Sequence, residues 1–126
     1  MINQVFSIRG ATTLDFNTEE EIVLRSVELM REIVEKNALD TDANLEIVDY
    51  IVSSTNDITA LYPAQAIRES GIVSAPVFSA LEPSINGALK MCVRVLVRVS
   101  NSGNKVIPKH IYLRGAKGLR KDLLDE

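Results

Sequence analysis

Met91-Cys92-Val93-Arg94-Val95-Leu96-Val97-Arg98-Val99-Ser100 is the stretch whose reading decides the fold. Successive side chains of a strand point to opposite faces, so strict alternation marks a strand with two unlike faces. Val93, Val95, Val97 and Val99 form one face and belong to a hydrophobic core. The other face carries Cys92, Arg94, Leu96 and Arg98, so it is no second core face. Around this strand the chain offers four more β-like segments. Residues 4–9 mix β-branched and aromatic residues and read as a first strand, ended by Gly10, with Ala11-Thr12-Thr13 as a loop. Residues 45–55 contain a second strand, closed by Ser53-Ser54-Thr55-Asn56-Asp57. Residues 73–81 make a third, with Pro76 confining its start to an edge or a bend. After the turn Asn101-Ser102-Gly103-Asn104, residues 109–114 return as a strand, and the periodicity predicts a hairpin or a related antiparallel connection.

Two helices complete the pattern. Thr18 and Glu21 spell a capping box, and Glu19, Glu20 and Glu21 suit the positive end of a helix dipole. Val23, Val27, Met30 and Val34, joined by Ile22, Leu29 and Ile33, predict an amphipathic helix ending near Asn37. Pro63 fits the first position of a short helix over 64–69, and Gly71 stops it. Five strands and two helices predict an α+β domain spanning 1–126: one mixed sheet with helices on a single face. The uncovered face then calls for a second copy of the chain, since 126 residues leave little else to cover it. Residues 115–126 read as a charged tail anchored by little besides Leu119, Leu123 and Leu124.

Composition narrows the function. The hydrophobic and charged fractions, 46% and 25%, are those of an ordinary globular domain. Cys92 is the single cysteine, which excludes an internal disulfide framework. No run of 18 apolar residues exists, and the start lacks the basic and apolar regions of a signal peptide, so a cytoplasmic protein is expected. Aromatics make up 5% with no Trp, a poor supply of stacking platforms for nucleic acid. His110 and Cys92 stand alone, without metal-ligand spacing, and Gly10 and Gly71 are too isolated for a phosphate loop, so no metal or cofactor is expected. A buried, inert thiol and a structural histidine are the expected readings of Cys92 and His110.

The charge is distributed unevenly. Net charge is −3, yet residues 83–121 hold nine Lys or Arg and no Asp or Glu. Arg9 and Arg94 lie within strands, and a guanidinium taken out of water needs a carboxylate from the protein or a ligand. Glu82 is the acid nearest to Arg94 in sequence before the acid-free stretch. Such a region suits a small anionic ligand held by Arg–carboxylate bonds, the alternative being a solvated basic face.

Several segments in register resemble a known family. Ile8-Arg9-Gly10-Ala11-Thr12-Thr13 followed by Asn17-Thr18-Glu19-Glu20-Glu21-Ile22 resembles the N-terminal signature of the AroH-class chorismate mutases. Tyr62-Pro63-Ala64-Gln65-Ala66-Ile67-Arg68-Glu69, Cys92-Val93-Arg94-Val95-Leu96, His110-Ile111-Tyr112-Leu113 and Leu119-Arg120 are similar to four further segments of that family, in order along the chain. The resemblance implies a trimeric pseudo α/β barrel with active sites at subunit interfaces. It also implies the rearrangement of chorismate to prephenate, an intramolecular Claisen reaction of Phe and Tyr biosynthesis that needs no nucleophile, metal or cofactor. By the same resemblance Arg94, Glu82 and Arg9 are the catalytic residues. Arg94 faces the ether oxygen, and Glu82 accepts from the ring hydroxyl and orients Arg94. Tyr112 joins Arg9 at a carboxylate, while Tyr62, Ala64, Val77, Ser79 and Leu119 line the pocket, with Arg68 and Arg120 near its mouth. Three positions depart from the family pattern: Gln65 replaces a lysine, Phe78 a small polar residue and Ser79 a cysteine. Gln65 and Phe78 leave open a trimeric ligand-binding or regulatory protein without turnover. A YjgF-type enamine/imine deaminase, another trimer that holds a carboxylate with arginine, stands further back.

Overall fold

The computed structural model describes residues 1–119. The elements run β1 (Gln4–Thr13), α1 (Glu19–Lys36), β2 (Leu45–Ser54), α2 (Pro63–Ser70), β3 (Val77–Leu81), β4 (Cys92–Asn101) and β5 (Ile111–Tyr112). A short 3₁₀ turn, Arg114–Gly118, comes after β5. They form one mixed sheet in the order β3-β2-β4-β1-β5 with two helices, the α+β architecture expected. The alternating strand is its centre: β4 pairs antiparallel with β1 on one side and with β2 on the other. Val93, Val95, Val97 and Val99 are buried with Ile8, Tyr50 and Val52 against Ile22, Leu29, Met30 and Ile33 of α1. Each valine so removed from water contributes about 1.5–3 kcal/mol, enough to set which face of β4 turns inward.

β1 runs four residues further than the sequence predicts. Gly10 is no strand terminator, and its backbone is not in the left-handed region. A Cβ placed there would lie 2.7 Å from Ile33 Cδ1 and 3.2 Å from Leu29 Cδ1, so glycine serves the close approach of α1 to the sheet. Gly10→Ala is expected to lower unfolding stability by about 1–2 kcal/mol, because overpacking outweighs the entropic gain of alanine. Urea unfolding checks this, and an unchanged midpoint would mean that Ile33 relaxes without cost.

α1 starts at the Thr18 cap, whose Oγ1 accepts from the Glu21 backbone N–H at 3.2 Å. Only this half of the predicted capping box forms. Glu21 Oε2 instead accepts from Asp15 N at 2.9 Å and from Arg25 Nε at 3.3 Å, tying the approach loop to the first turn. The buried stripe is Ile22, Ser26, Leu29, Met30, Ile33 and Val34, whereas Val23 is exposed and Val27 half-buried. The sequence places the centre of the stripe too near Val23.

The predicted hairpin after β4 is absent. β4 is flanked along its whole length by β1 and β2, so no edge is free to receive a following strand. The chain instead crosses the start of β1, where Gln4 Oε1 accepts from Val106 N and Gln4 Nε2 donates to Val106 O, both at 3.0 Å. It then pairs parallel to the far edge of β1 as β5. Pro76 directly precedes β3, which is an edge strand, as expected, and Gly71 caps α2 in the left-handed conformation. The start of the charged tail is better anchored than its composition implies. Gly115 N donates to Thr13 Oγ1 at 3.0 Å, and Ala116 and Leu119 pack with Ala11, Cys92 and Tyr112.

The face of the sheet turned away from the helices carries Arg9, Ala11, Ile51, Ser53, Phe78, Arg94, Leu96 and Arg98. Ile51, Phe78 and Leu96 are exposed there.

Candidate active site

The open face of the sheet gathers polar side chains from distant parts of the chain. Arg94 is the third residue of β4, opposite Ala11 of β1 and Ser53 of β2. A cleft of about 270 Å³ is lined by Arg9, Ala11, Ile51, Ser53, Arg94, Leu96 and Tyr112. Arg9 and Arg94 therefore share one cleft although they stand 85 positions apart in the chain, and the mostly buried Tyr112 joins them from the edge strand β5.

Glu82 comes directly after β3. Its backbone N–H donates to Ser54 O at 2.9 Å, which extends the strand pairing by one bond. Its Oε1 lies 3.3 Å from Arg94 Nε, and no other carboxylate among the described residues is within ion-pair distance of Arg94. That Nε is buried and has no aligned hydrogen-bond acceptor, so Glu82 balances the charge without closing a bidentate fork. Arg9 is exposed and has no carboxylate partner among the described residues. Two further cations of the acid-free stretch are spoken for. Arg98 grips Asp49 with two bonds, of 3.1 and 2.5 Å, and Arg114 meets Asp15 at 2.6 Å.

Cys92 is fully buried, and desolvation pushes its thiol up, only partly opposed by the Arg94 guanidinium, so it is a poor nucleophile at neutral pH. His110 Nδ1 accepts from Arg9 N at 2.9 Å, which gives it the structural task of fixing β5 beside β1. Among the described residues no three His, Cys, Asp or Glu side chains converge where they could hold a metal ion.

The remaining candidates do not join this cleft within one chain. Tyr62 and Ser79 line a second hollow, of about 590 Å³, with Thr59, Leu61 and Leu81. Val77 and Phe78 line a third, of about 460 Å³, with Ser7, Asp49 and Arg98. Ala64 is buried in the core of this chain, while Arg68 is exposed on α2. Gln65 is half-buried, with its Nε2 3.4 Å from Glu69. Leu119 packs beside Tyr112, and Arg120 lies outside the described residues. Sequence reasoning missed Ser53 and Ile51 as cleft residues. Assigning Ser53 to a closing turn hid its place, two residues from Ile51, on the same face of β2.

An α+β sheet presenting two arginines in one cleft, one of them beside a glutamate, belongs to the class of proteins whose site suits a small anion held by fixed charge. Comparison with known proteins sharpens that class. The chain matches the sequence profile of chorismate mutase type I over residues 5–123. It is 38% identical over 117 residues to chorismate mutase AroH of Bacillus subtilis, covering 92% of this chain and 90% of that protein. To chorismate mutase AroH of Thermus thermophilus it is 35% identical over 119 residues, covering 94% and 96%. Among solved structures, chorismate mutase from Clostridium thermocellum superposes with a TM-score of 0.79 at 39% identity, covering 89% of this chain and 97% of that one. The chain belongs to the chorismate mutase type I family. With that family it shares both fold and enzyme class, an isomerase of aromatic amino acid biosynthesis.

Proposed function

We propose that the cleft between β2, β4, β1 and β5 converts chorismate to prephenate. The observation that carries this reading is Arg94 set by Glu82 in the same cleft as Arg9 and Tyr112. The reaction is an intramolecular rearrangement in which a carbon–oxygen bond of the ether breaks as a carbon–carbon bond forms. It requires a flexible dicarboxylate to be held in a compact, chair-like geometry, and it develops negative charge on the ether oxygen. Positioning and preorganised charge are the levers for such a step. Arg94 stabilises the ether oxygen and holds a carboxylate, Glu82 accepts from the ring hydroxyl, and Arg9 and Tyr112 bind carboxylate. Every one of these groups acts without exchanging a proton or forming a covalent bond.

Tyr62, Ala64, Val77, Ser79 and Leu119 line the rest of the pocket, with Arg68 and Arg120 at its mouth. The separation of Tyr62 and Ser79 from the arginine cleft within one chain supports a site completed by a neighbouring copy. Exposed Ile51, Phe78 and Leu96 on the open sheet face support a homotrimer that covers them, each chain contributing one domain. Gln65 carries no charge where the family has lysine, which weakens substrate binding while leaving the arginine pair intact. Ser79 still donates a hydrogen bond, and Phe78 narrows the hollow it lines. A cytoplasmic location suits this chemistry.

Saturable conversion of chorismate to prephenate by the purified protein, followed by the loss of chorismate absorbance, is the expected result. Binding of chorismate without turnover would point instead to a ligand-binding protein.

A further inference from the structure

We infer that Ser53 is a positioning residue for catalysis, acting on Arg94 through Glu82. Ser53 lies on β2 between the two strands that matter, directly opposite Arg94 on one side and Ala80 on the other. Its hydroxyl donates a short hydrogen bond to Glu82 Oε2, while Oε1 of the same carboxylate faces Arg94 Nε at 3.3 Å. The two oxygens of Glu82 thus have separate partners, one on β2 and one on β4. A carboxylate only accepts, so the serine must donate, and its hydroxyl rotor is committed.

The need for such a bond comes from the geometry of Glu82. Strand pairing fixes only its backbone, and the rotatable bonds beyond Cα leave the carboxylate free to swing toward water. The ion pair with Arg94 holds the carboxylate near but leaves its rotation open, because it is not aligned as a hydrogen bond. Ser53 supplies the second point that sets the rotation of the carboxylate plane, and hence where the Arg94 guanidinium rests before substrate arrives. A shell of this kind matters most for groups whose charge must be in place at the transition state. The inference rests on the roles proposed above for Arg94 and Glu82.

The test is steady-state chorismate kinetics of the full-length protein and three variants. Ser53→Ala is expected to lower kcat about tenfold, the size of a lost hydrogen bond to a charged group, with KM within about twofold. Ser53→Thr, which keeps the hydroxyl and suits a strand, should restore kcat to within about twofold of the native enzyme. Adding Ser53→Ala to Glu82→Ala should change kcat by less than about twofold, because the intermediary is already gone. A native kcat in Ser53→Ala, a rise in KM with kcat unchanged, or an undiminished effect in the Glu82→Ala background would each overturn the inference. A failure of Ser53→Thr to rescue would do so as well. If Glu82→Ala is slow and Ser53→Ala is not, the inference fails alone. If Ser53→Ala is slow and Glu82→Ala is not, the role given to Glu82 fails with it.

Discussion

Arg94→Ala lowers kcat for chorismate by about 10²–10³-fold, the range expected for deleting one preorganised donor to a developing oxyanion, while KM rises only a fewfold. The asymmetry comes from timing. Charge on the ether oxygen exists chiefly in the transition state, so that contact contributes little to ground-state binding, and the fewfold rise in KM reflects the carboxylate contact that Arg94 also makes. Arg9 remains in the same cleft and still holds a carboxylate, which is why KM is spared. The fold should survive the substitution. Arg94 sits on the open face and is not part of the valine core, and the Glu82 it leaves behind keeps access to water and its bond to Ser53. Arg94→Lys is expected to recover charge but not the planar fork, leaving kcat about tenfold or more below native. Steady-state kinetics on well-folded variants decide the point. An Arg94→Ala enzyme with near-native kcat would remove Arg94 from the mechanism and shift attention to Arg9.

The parts of this molecule that were legible in its sequence are those governed by local rules. The alternation over 91–100 gives β4 and its buried face, because strand geometry forces a period of two. Thr18, Pro63 and Gly71 mark helix ends because orphan backbone groups and the left-handed conformation demand those residues. The acid-free stretch pointed to arginine chemistry, and three of its cations do meet carboxylates that lie before it: Glu82, Asp49 and Asp15. What stayed hidden depends on the third dimension. Gly10 reads as a stop until α1 is seen pressing on it. The link from β4 to β5 reads as a hairpin until both flanks of β4 are found occupied. Ser53 reads as turn chemistry until its neighbours on two adjacent strands are known. The roles of Tyr62, Val77 and Ser79 rest on family resemblance, since nothing in their spacing ties them to Arg94.

Mixing two inactive variants should restore activity. In Arg94→Ala the arginine cleft is disabled, and in Ser79→Trp a bulky ring fills the hollow of about 590 Å³ that Ser79 and Tyr62 line. Ser79 is an exposed residue of the edge strand β3, so the larger side chain projects into the hollow without entering the core. If each site takes the arginine cleft from one chain and the Tyr62–Ser79 hollow from its neighbour, a mixed assembly contains some sites built from two intact halves. In a closed ring of identical heterologous contacts each half is intact with even odds, so about a quarter of the sites recover at equal mixing. Two variants with almost no activity apart should thus regain about a quarter of the native specific activity after co-refolding, whatever the order in which chains assemble. Mixing without unfolding controls for simple addition, because chains then stay in their parent assemblies. The alternative is equally definite. If one chain builds the whole site, every chain in the mixture carries one lesion, and activity stays at the mean of the two parents. The quarter-recovery also requires a contact between chains that sets the arginine cleft of one against the Tyr62–Ser79 hollow of the next.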